Sequence, residues 1–317
     1  MTWDPTVDVT TLAPEALASF DRMVAAVAAV PHPEIVDLTR RRIGQVHGAE
    51  AEADDVAAAT TAAPELADER LRSLTAWSIS PLFTTAERAC LGFAEQFVVD
   101  VGAIDDEQRE ELKAALGADV FEYVQALYVL DHGVRLVAAV HQLFGVELIP
   151  APVPAGAPEV DSGGIWPTID GFLTEVGRLS TIDPLLTELI RLRGARAHDC
   201  RLCQSRRSLS AVSSDGGEQA IDVLDDYEAS GLPERQKVAL RLTDAIVWQP
   251  ASFSTELVDQ VHEQFSPVEA LEIVLDVVRN ASNKIAVALG VDQANVTEGV
   301  EYFDLQPDGS LVYGLSR

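Results

Sequence analysis

Apolar residues recur along this chain every three to four positions, the period of a helix with one buried face. Val124, Leu127 and Tyr128 share one such face, and Leu271, Val274 and Leu275 share another. Helices are predicted from about Glu87, Asp106, Asp119, Glu234, Thr255 and Pro267 onward. Asp183 followed by Pro184 is an N-cap with proline at the first helical position, opening a helix that runs to about Ala197. Asp119-x-x-Glu122 and Ser266-x-x-Glu269 both have the capping-box pattern. Strand signals are scarce until residues 302–306 and 310–313, which flank Pro307-Asp308-Gly309 and predict a short hairpin. A lone hairpin is marginal in water, so this one should pack on a helix or on a neighbouring subunit. The expected fold is all-α, with a short C-terminal β-hairpin.

The chain divides almost in half. Residues 150–158 alternate proline with alanine, valine and glycine, and Asp161-Ser162-Gly163-Gly164 follows, a stiff and then flexible linker. The halves on either side resemble each other. Glu87-Arg88 corresponds to Glu234-Arg235, and the two capping-box patterns fall at nearly the same offset. Asp37 lies over Glu188, His47 over His198, and Ala49 and Glu52 over Cys200 and Cys203. Two similar helical domains in tandem are predicted, residues 1–149 and 165–299, joined by the linker at 150–164 and followed by the tail at 300–317. The first half keeps the frame and lacks the thiols.

Composition narrows the function. Of 317 residues 47% are hydrophobic, enough for a packed core. Fifty-one acidic residues against 23 basic ones give a net charge of -28, which repels phosphate backbones and anionic lipid surfaces alike. No nucleic-acid or membrane partner is expected. The longest apolar runs, such as residues 23–30, are too short to span a bilayer, and the first residues lack the pattern of a signal peptide. Three cysteines do not make a disulfide framework, so a reducing, cytoplasmic setting is expected.

Two of those cysteines, Cys200 and Cys203, stand in C-x-x-C spacing, with Glu188 twelve residues upstream of the first. With Asp199 as N-cap of a second helix, Cys200 falls at N1 and Cys203 at N4, one turn apart on one face. The unpaired N–H groups of a helix start favour thiolate over thiol. Arg207, four residues beyond Cys203, adds positive charge to that face. Glu188, carried back by the preceding helix, is placed to accept the thiol proton.

This arrangement resembles the alkylhydroperoxidase D / carboxymuconolactone decarboxylase family, whose redox members carry E-x11-C-x-x-C-x3-H. Glu188, Cys200 and Cys203 match that spacing. The resemblance extends over most of both halves, including the Glu-Arg helix and Leu289-Gly290 after Asn283-Lys284. It implies a helical homo-oligomer that reduces peroxides, or that passes electrons from a lipoylated protein or another dithiol reductant to a peroxiredoxin. It also implies that Cys203 is the attacking thiol and Cys200 the more exposed partner that closes the disulfide. The histidine that ends the family's motif is Arg207 here, and a family histidine just before the second cysteine is Leu202. Arginine stays protonated, so it supplies charge but relays no proton. His198 is the nearest histidine and could substitute if its loop turns it inward. The sequence requires neither a metal nor a flavin.

Plainer readings stand beside these. Cysteines are often small buried hydrophobes, and Cys90 is read so. His198 with both thiols could hold zinc. Glu188 could simply pair with Arg191 or Arg193 on an exposed helix face. Glu50, Glu52, Asp54 and Asp55 read as the solvated start of a helix, His132 and His141 as structural histidines, and Trp77, Trp166 and Trp248 as core or interface anchors. Two other functions are kept open: a lyase or isomerase acting on a small lactone or acid, and a non-catalytic oligomeric scaffold.

Overall fold

The computed structural model describes residues 3–4, 7–58, 68–151 and 164–317. Most of the expected linker, residues 152–163, lies outside these. The chain is mostly helical. Up to residue 151 the helices are α1 (Pro14–Ala26), α2 (Pro33–His47), α3 (Glu50–Ala58), α4 (Asp68–Ser73), α5 (Thr85–Val99), α6 (Asp106–Leu116) and α7 (Val120–Phe144). Then come α8 (Trp166–Gly177), α9 (Pro184–Ala197), the four-residue α10 (Arg201–Gln204), strand β1 (Arg206–Ser208), α11 (Leu209–Ser213) and α12 (Gly217–Asp222). Helices α13 (Glu234–Trp248), α14 (Thr255–Gln264), α15 (Pro267–Asn280) and α16 (Lys284–Ala288) lead to strands β2 (Glu301–Leu305) and β3 (Leu311–Leu315).

Helix starts follow local chemistry. The Asp183 carboxylate accepts from Leu186 N at 3.0 Å and Pro184 takes N1, as the sequence predicts. Ser266 and Glu269 form a reciprocal capping box, as do Thr84 with Glu87 and Asp105 with Gln108. Asp119 does not. Residues Gly117–Asp119 already form a 3-10 turn, so the backbone is helical before Asp119 and its carboxylate is not aimed at the following N–H groups. It binds His32 Nε2 instead, at 3.0 Å.

The 25-residue α7 is the central element, buried along nearly its whole length. It packs against α2 and α3 from its own half of the chain and against α13, α15 and α16 from the other. That explains its apolar character on every side. Among the described residues no helix is long and apolar enough to cross a membrane. Trp248 is 53% exposed, so it is not a core residue, while Trp77 sits in a satellite cluster with Leu38, Leu74 and Phe83.

The hairpin is present, and a strand not visible in the sequence extends it. β2 pairs antiparallel with β3, and β1 pairs parallel with β2, Arg207 opposite Tyr302. The resulting three-stranded sheet has the order β1-β2-β3. Its turn docks on α8. Gly309 has φ +83°, and a Cβ there would meet the Thr174 carbonyl oxygen at 2.2 Å, so only glycine fits this approach. Arg178 Nε donates to Asp308 O at 3.0 Å across the same contact.

Candidate functional site

The site begins where α9 ends. Cys200 N donates to Ala195 O at 2.9 Å and Asp199 N to Arg196 O at 3.2 Å. These are the two bonds of a Schellman closure, with Asp199 at its left-handed position, φ +49°. Asp199 therefore terminates α9 and does not open α10. Cys200 itself is the N-cap of α10 and Cys203 is its third residue, so the expected N1 and N4 places shift by one. The turn after α2 closes in the same way: Ala49 N donates to Gly44 O at 2.9 Å and Gly48 N to Gln45 O at 3.3 Å, with Gly48 at φ +65°.

Cys200 and Cys203 are joined as a disulfide. Cys203 lines a cavity of about 850 Å³. Cys200 is wholly buried and does not line it. This corrects the expectation that Cys200 is the more exposed partner: the Schellman closure turns it into the core, and one turn of α10 presents Cys203 to the cavity.

The N–H groups at the start of α10 are mostly committed. Arg201 N donates to Asp292 Oδ2 at 2.9 Å and Leu202 N to Asp292 O at 2.8 Å. Asp292, only 2% exposed, is also paired with Arg201 at 2.5 Å. Burial pushes its carboxyl up, but the bonds from Arg201 prevail and hold it below its ordinary value. The remaining N–H, that of Cys203, points at Cys200 Sγ at 3.2 Å. The sulfur that the helix start supports is thus Cys200, not Cys203.

Glu188 lines the same cavity as Cys203 and is 1% exposed. Arg191 holds it with Nε on Oε2 at 2.6 Å and Nη2 on Oε1 at 2.7 Å, and Ser208 N donates to Oε1 at 3.1 Å. The Glu188–Arg191 pair is therefore buried, not an exposed surface pair. The same guanidinium donates from Nη1 to Cys203 O at 3.0 Å and from Nη2 to Arg206 O at 2.9 Å, and it lies over the Phe303 ring. An acid–arginine pair one turn apart recurs on α2, where Arg40 binds buried Asp37 and donates to Ala53 O at 2.8 Å.

Arg207 is not brought to the cavity. It lies on β1, off the cysteine helix, and Nη1 donates to the carbonyls of Gln204 and Arg206, each at 2.7 Å. Burial lowers the pKa of its guanidinium, with Glu188 opposing. His198 does turn inward, but away from the cavity lining. Its ring meets that of His132 edge-on, with centroids 6.4 Å apart.

His198 and His132 belong to a buried cluster around Asp131. That carboxylate accepts from His47 Nε2 at 2.7 Å, Arg135 Nε at 2.8 Å and Lys284 Nζ at 2.8 Å. Burial raises the Asp131 pKa, and Arg135 and Lys284 overcome this, holding it well below the usual carboxylate range. Burial lowers the Lys284 amine to about 8 and keeps His47, His132 and His198 below the ordinary imidazole value. His132 is therefore the structural histidine the sequence suggests; His141 is half-exposed beside Glu52. Cys90 is buried in the core, its thiol pushed by burial up to about 12. Among the described residues no group of three or more His, Cys, Asp and Glu is placed to hold a metal ion.

Arg279, Ser208 and Asp292 also shape this region and carried no signal in the sequence. Each acts through contacts formed by elements distant in the chain; only the acid–arginine spacing at Glu188 and Arg191 was visible locally.

No known family profile matches the chain, and no solved structure matches it. Uncharacterized protein Rv2313c of Mycobacterium tuberculosis is 39% identical over 234 residues, covering 72% of this chain and 81% of that protein. Uncharacterized protein MT2376, from the Oshkosh strain of the same species, matches to the same extent: 39% over 234 residues, 72% and 81%.

Proposed function

The chain belongs to the family of these mycobacterial proteins, and within it we propose that this member is a thiol–disulfide oxidoreductase of alkylhydroperoxidase D type, working through Cys200 and Cys203. One observation carries the reading: of the two bridged cysteines only Cys203 lines a cavity, and that cavity also holds the buried Glu188–Arg191 pair.

The geometry favours a division of labour. An incoming thiolate reaches Cys203 Sγ from the cavity. As the new S–S bond forms, the old one breaks and its electron pair goes to Cys200 Sγ, which the Cys203 N–H stabilises as a leaving group. A second thiol of the same reductant then releases Cys203. In the other direction the Cys203 thiolate attacks a peroxide or disulfide, with Glu188 Oε2 accepting its proton, and Cys200 resolves the product. A lipoyl-type dithiol and a peroxiredoxin remain the proposed partners, and the cytoplasm the proposed compartment. No step uses Arg207 or His198.

We propose further that the chain is a tandem of two related helical domains that assembles into a homo-oligomer, the N-terminal one having lost its thiols. The repeated Schellman closures and the repeated acid–arginine pairs support the duplication.

The test is to count thiols before and after reduction, then follow turnover of a hydroperoxide and of lipoamide by the wild type and both serine variants. Cys200→Ser should trap a mixed disulfide on Cys203. Cys203→Ser should trap none and lose at least about a hundredfold in rate. Full turnover by both variants would exclude the redox reading, and retained turnover of a carbon acid would favour a lyase.

A further inference from the structure

The cavity over Cys203 has a charge arrangement that the dithiol chemistry does not use. Three arginines on its wall are already engaged. Arg191 is spent on Glu188 and two carbonyls. Arg206 binds Glu301 at 2.7 Å and lies over Tyr313, and Arg178 binds Glu175 at 2.6 Å. Arg279 is different. It is 8% exposed, and Nε donates to Leu173 O at 3.0 Å, but neither terminal nitrogen hydrogen-bonds to any described residue. Asp276 stands 3.9 Å from Nη1, too far for a hydrogen bond. Burial raises the Asp276 carboxyl to about 7, so near neutral pH it is a weak counter-charge. A buried guanidinium stays protonated, so this wall carries charge with free donors in a fork that fits a carboxylate.

The anions that share the cavity do not answer it. Glu188 is held by Arg191, Asp304 accepts from Ser208 and Ser210, and Asp170 is exposed. The rest of the wall is mixed: Trp166, Leu173, Phe303, Leu305 and Tyr313 give it an apolar stretch, beside polar groups such as Thr174, Asn280, Asn283 and Gln306. Trp166 is 40% exposed there. The volume of about 850 Å³ lies within the range of roughly 300–1,000 Å³ that encloses small organic ligands.

We propose that this cavity binds an amphipathic carboxylate, its head on the terminal nitrogens of Arg279 and its apolar body along Trp166, Leu173, Phe303 and Leu305. Resting on the redox reading above, the substrate of Cys203 is then an organic hydroperoxide that carries a carboxylate. The step balances. The Cys203 thiolate takes the terminal oxygen of ROOH, the O–O bond breaks, and RO⁻ leaves as ROH with the proton taken from the thiol. The Cys200 sulfur then attacks the resulting sulfenic acid, and hydroxide departs as water with the Cys200 proton. Two electrons pass from the sulfurs to the peroxide, leaving the disulfide, ROH and water.

Binding is tested apart from redox chemistry. Titration calorimetry compares decanoate with 1-decanol on the oxidised protein, on Arg279→Met and on Leu305→Trp, which fills the cavity. Wild type should prefer decanoate by about tenfold or more, the worth of one charge-assisted hydrogen bond. Arg279→Met should bring that preference to within about twofold while decanol still binds, which also reports that the variant is folded. Leu305→Trp should lose both ligands. No preference in wild type, a preference kept by Arg279→Met, or decanoate bound unchanged by Leu305→Trp would overturn the proposal. Should Arg279→Met fail to fold, the wild-type preference and Leu305→Trp decide. The double variant Cys200→Ser/Cys203→Ser should still bind decanoate. Intact binding with no thiol turnover in the wild type would therefore sink the redox reading alone.

Discussion

Arg191 ties the carboxylate of Glu188 to the backbone of Cys203. Its Nε and Nη2 hold the two carboxylate oxygens, and its Nη1 donates to the Cys203 carbonyl at 3.0 Å. Acid and sulfur are thus placed by one planar group, from one helix turn and one tight loop.

That placement predicts the effect of Arg191→Met. Glu188 would remain as a buried charge without its partner, and stability should fall by about 3–5 kcal/mol. Denaturant unfolding measures this directly. A loss under about 1 kcal/mol would show that the pair is not structural. Arg191→Lys should recover only part of the loss, because an ammonium cannot span both carboxylate oxygens and a carbonyl.

Asp199→Gly should stabilise the protein. A non-glycine residue in the left-handed region costs about 1–2 kcal/mol, part of which aspartate recovers locally. The equivalent turn after α2 already uses Gly48. Thermal melting of the variant should rise, and a fall would mean that the Asp199 side chain does more than occupy its turn.

The cluster around Asp131 makes acid stability depend on histidine. His47, His132 and His198 have native pKa values below the unfolded value, so the unfolded chain binds more protons as pH falls. Their contribution is fully present above about pH 6.5 and is lost as pH drops through and below it. Asp131, whose native pKa is depressed, loses its contribution only in much stronger acid. His132→Asn should therefore lose less melting temperature than the wild type between pH 7.5 and 5, while Asp276, raised by burial to about 7, acts in the opposite sense over that range in both proteins. An unchanged slope in the variant would remove His132 from the account.

Ser266→Ala and Asp119→Ala test two similar sequence signatures with different outcomes. Ser266 caps its helix, so its loss should cost about 1 kcal/mol. Asp119 caps nothing and meets His32 at a half-exposed surface, so its loss should cost less than about 0.5 kcal/mol. Equal costs in equilibrium unfolding would contradict the difference in cap geometry.

Much of the helical frame was legible in the sequence because its signals are local. Asp183-Pro184, Ser266-x-x-Glu269 and the turn at Pro307-Asp308-Gly309 each specify their element within a few residues. The dithiol and its carboxylate were visible through spacing alone. What was not legible depends on partners far along the chain. Asp199 looks like an N-cap, but a Schellman closure competes for the same residue and wins. Arg207 looks like a helix-face neighbour of Cys203, but pairing of Arg206–Ser208 with the distant β2 takes it off that face. Arg279 gave no sign at all, because what sets it apart, terminal nitrogens without a hydrogen bond among the described residues, depends on how α15 packs against α8.

The closure at Ala195 bears on how the dithiol can open. The Cys200 amide is fastened to the end of α9, Leu202 to Asp292, and the Cys203 carbonyl to Arg191. None of these anchors depends on the sulfur–sulfur bond. Breaking that bond asks only for rotation of two side chains, so the Cys200 and Leu202 amides should exchange with deuterium at the same rate in both states, while the Cys203 amide, which donates to Cys200 Sγ, follows the state of that sulfur. A partner that distinguishes oxidised from reduced protein would then have to read the sulfurs themselves, not a change in the shape around them.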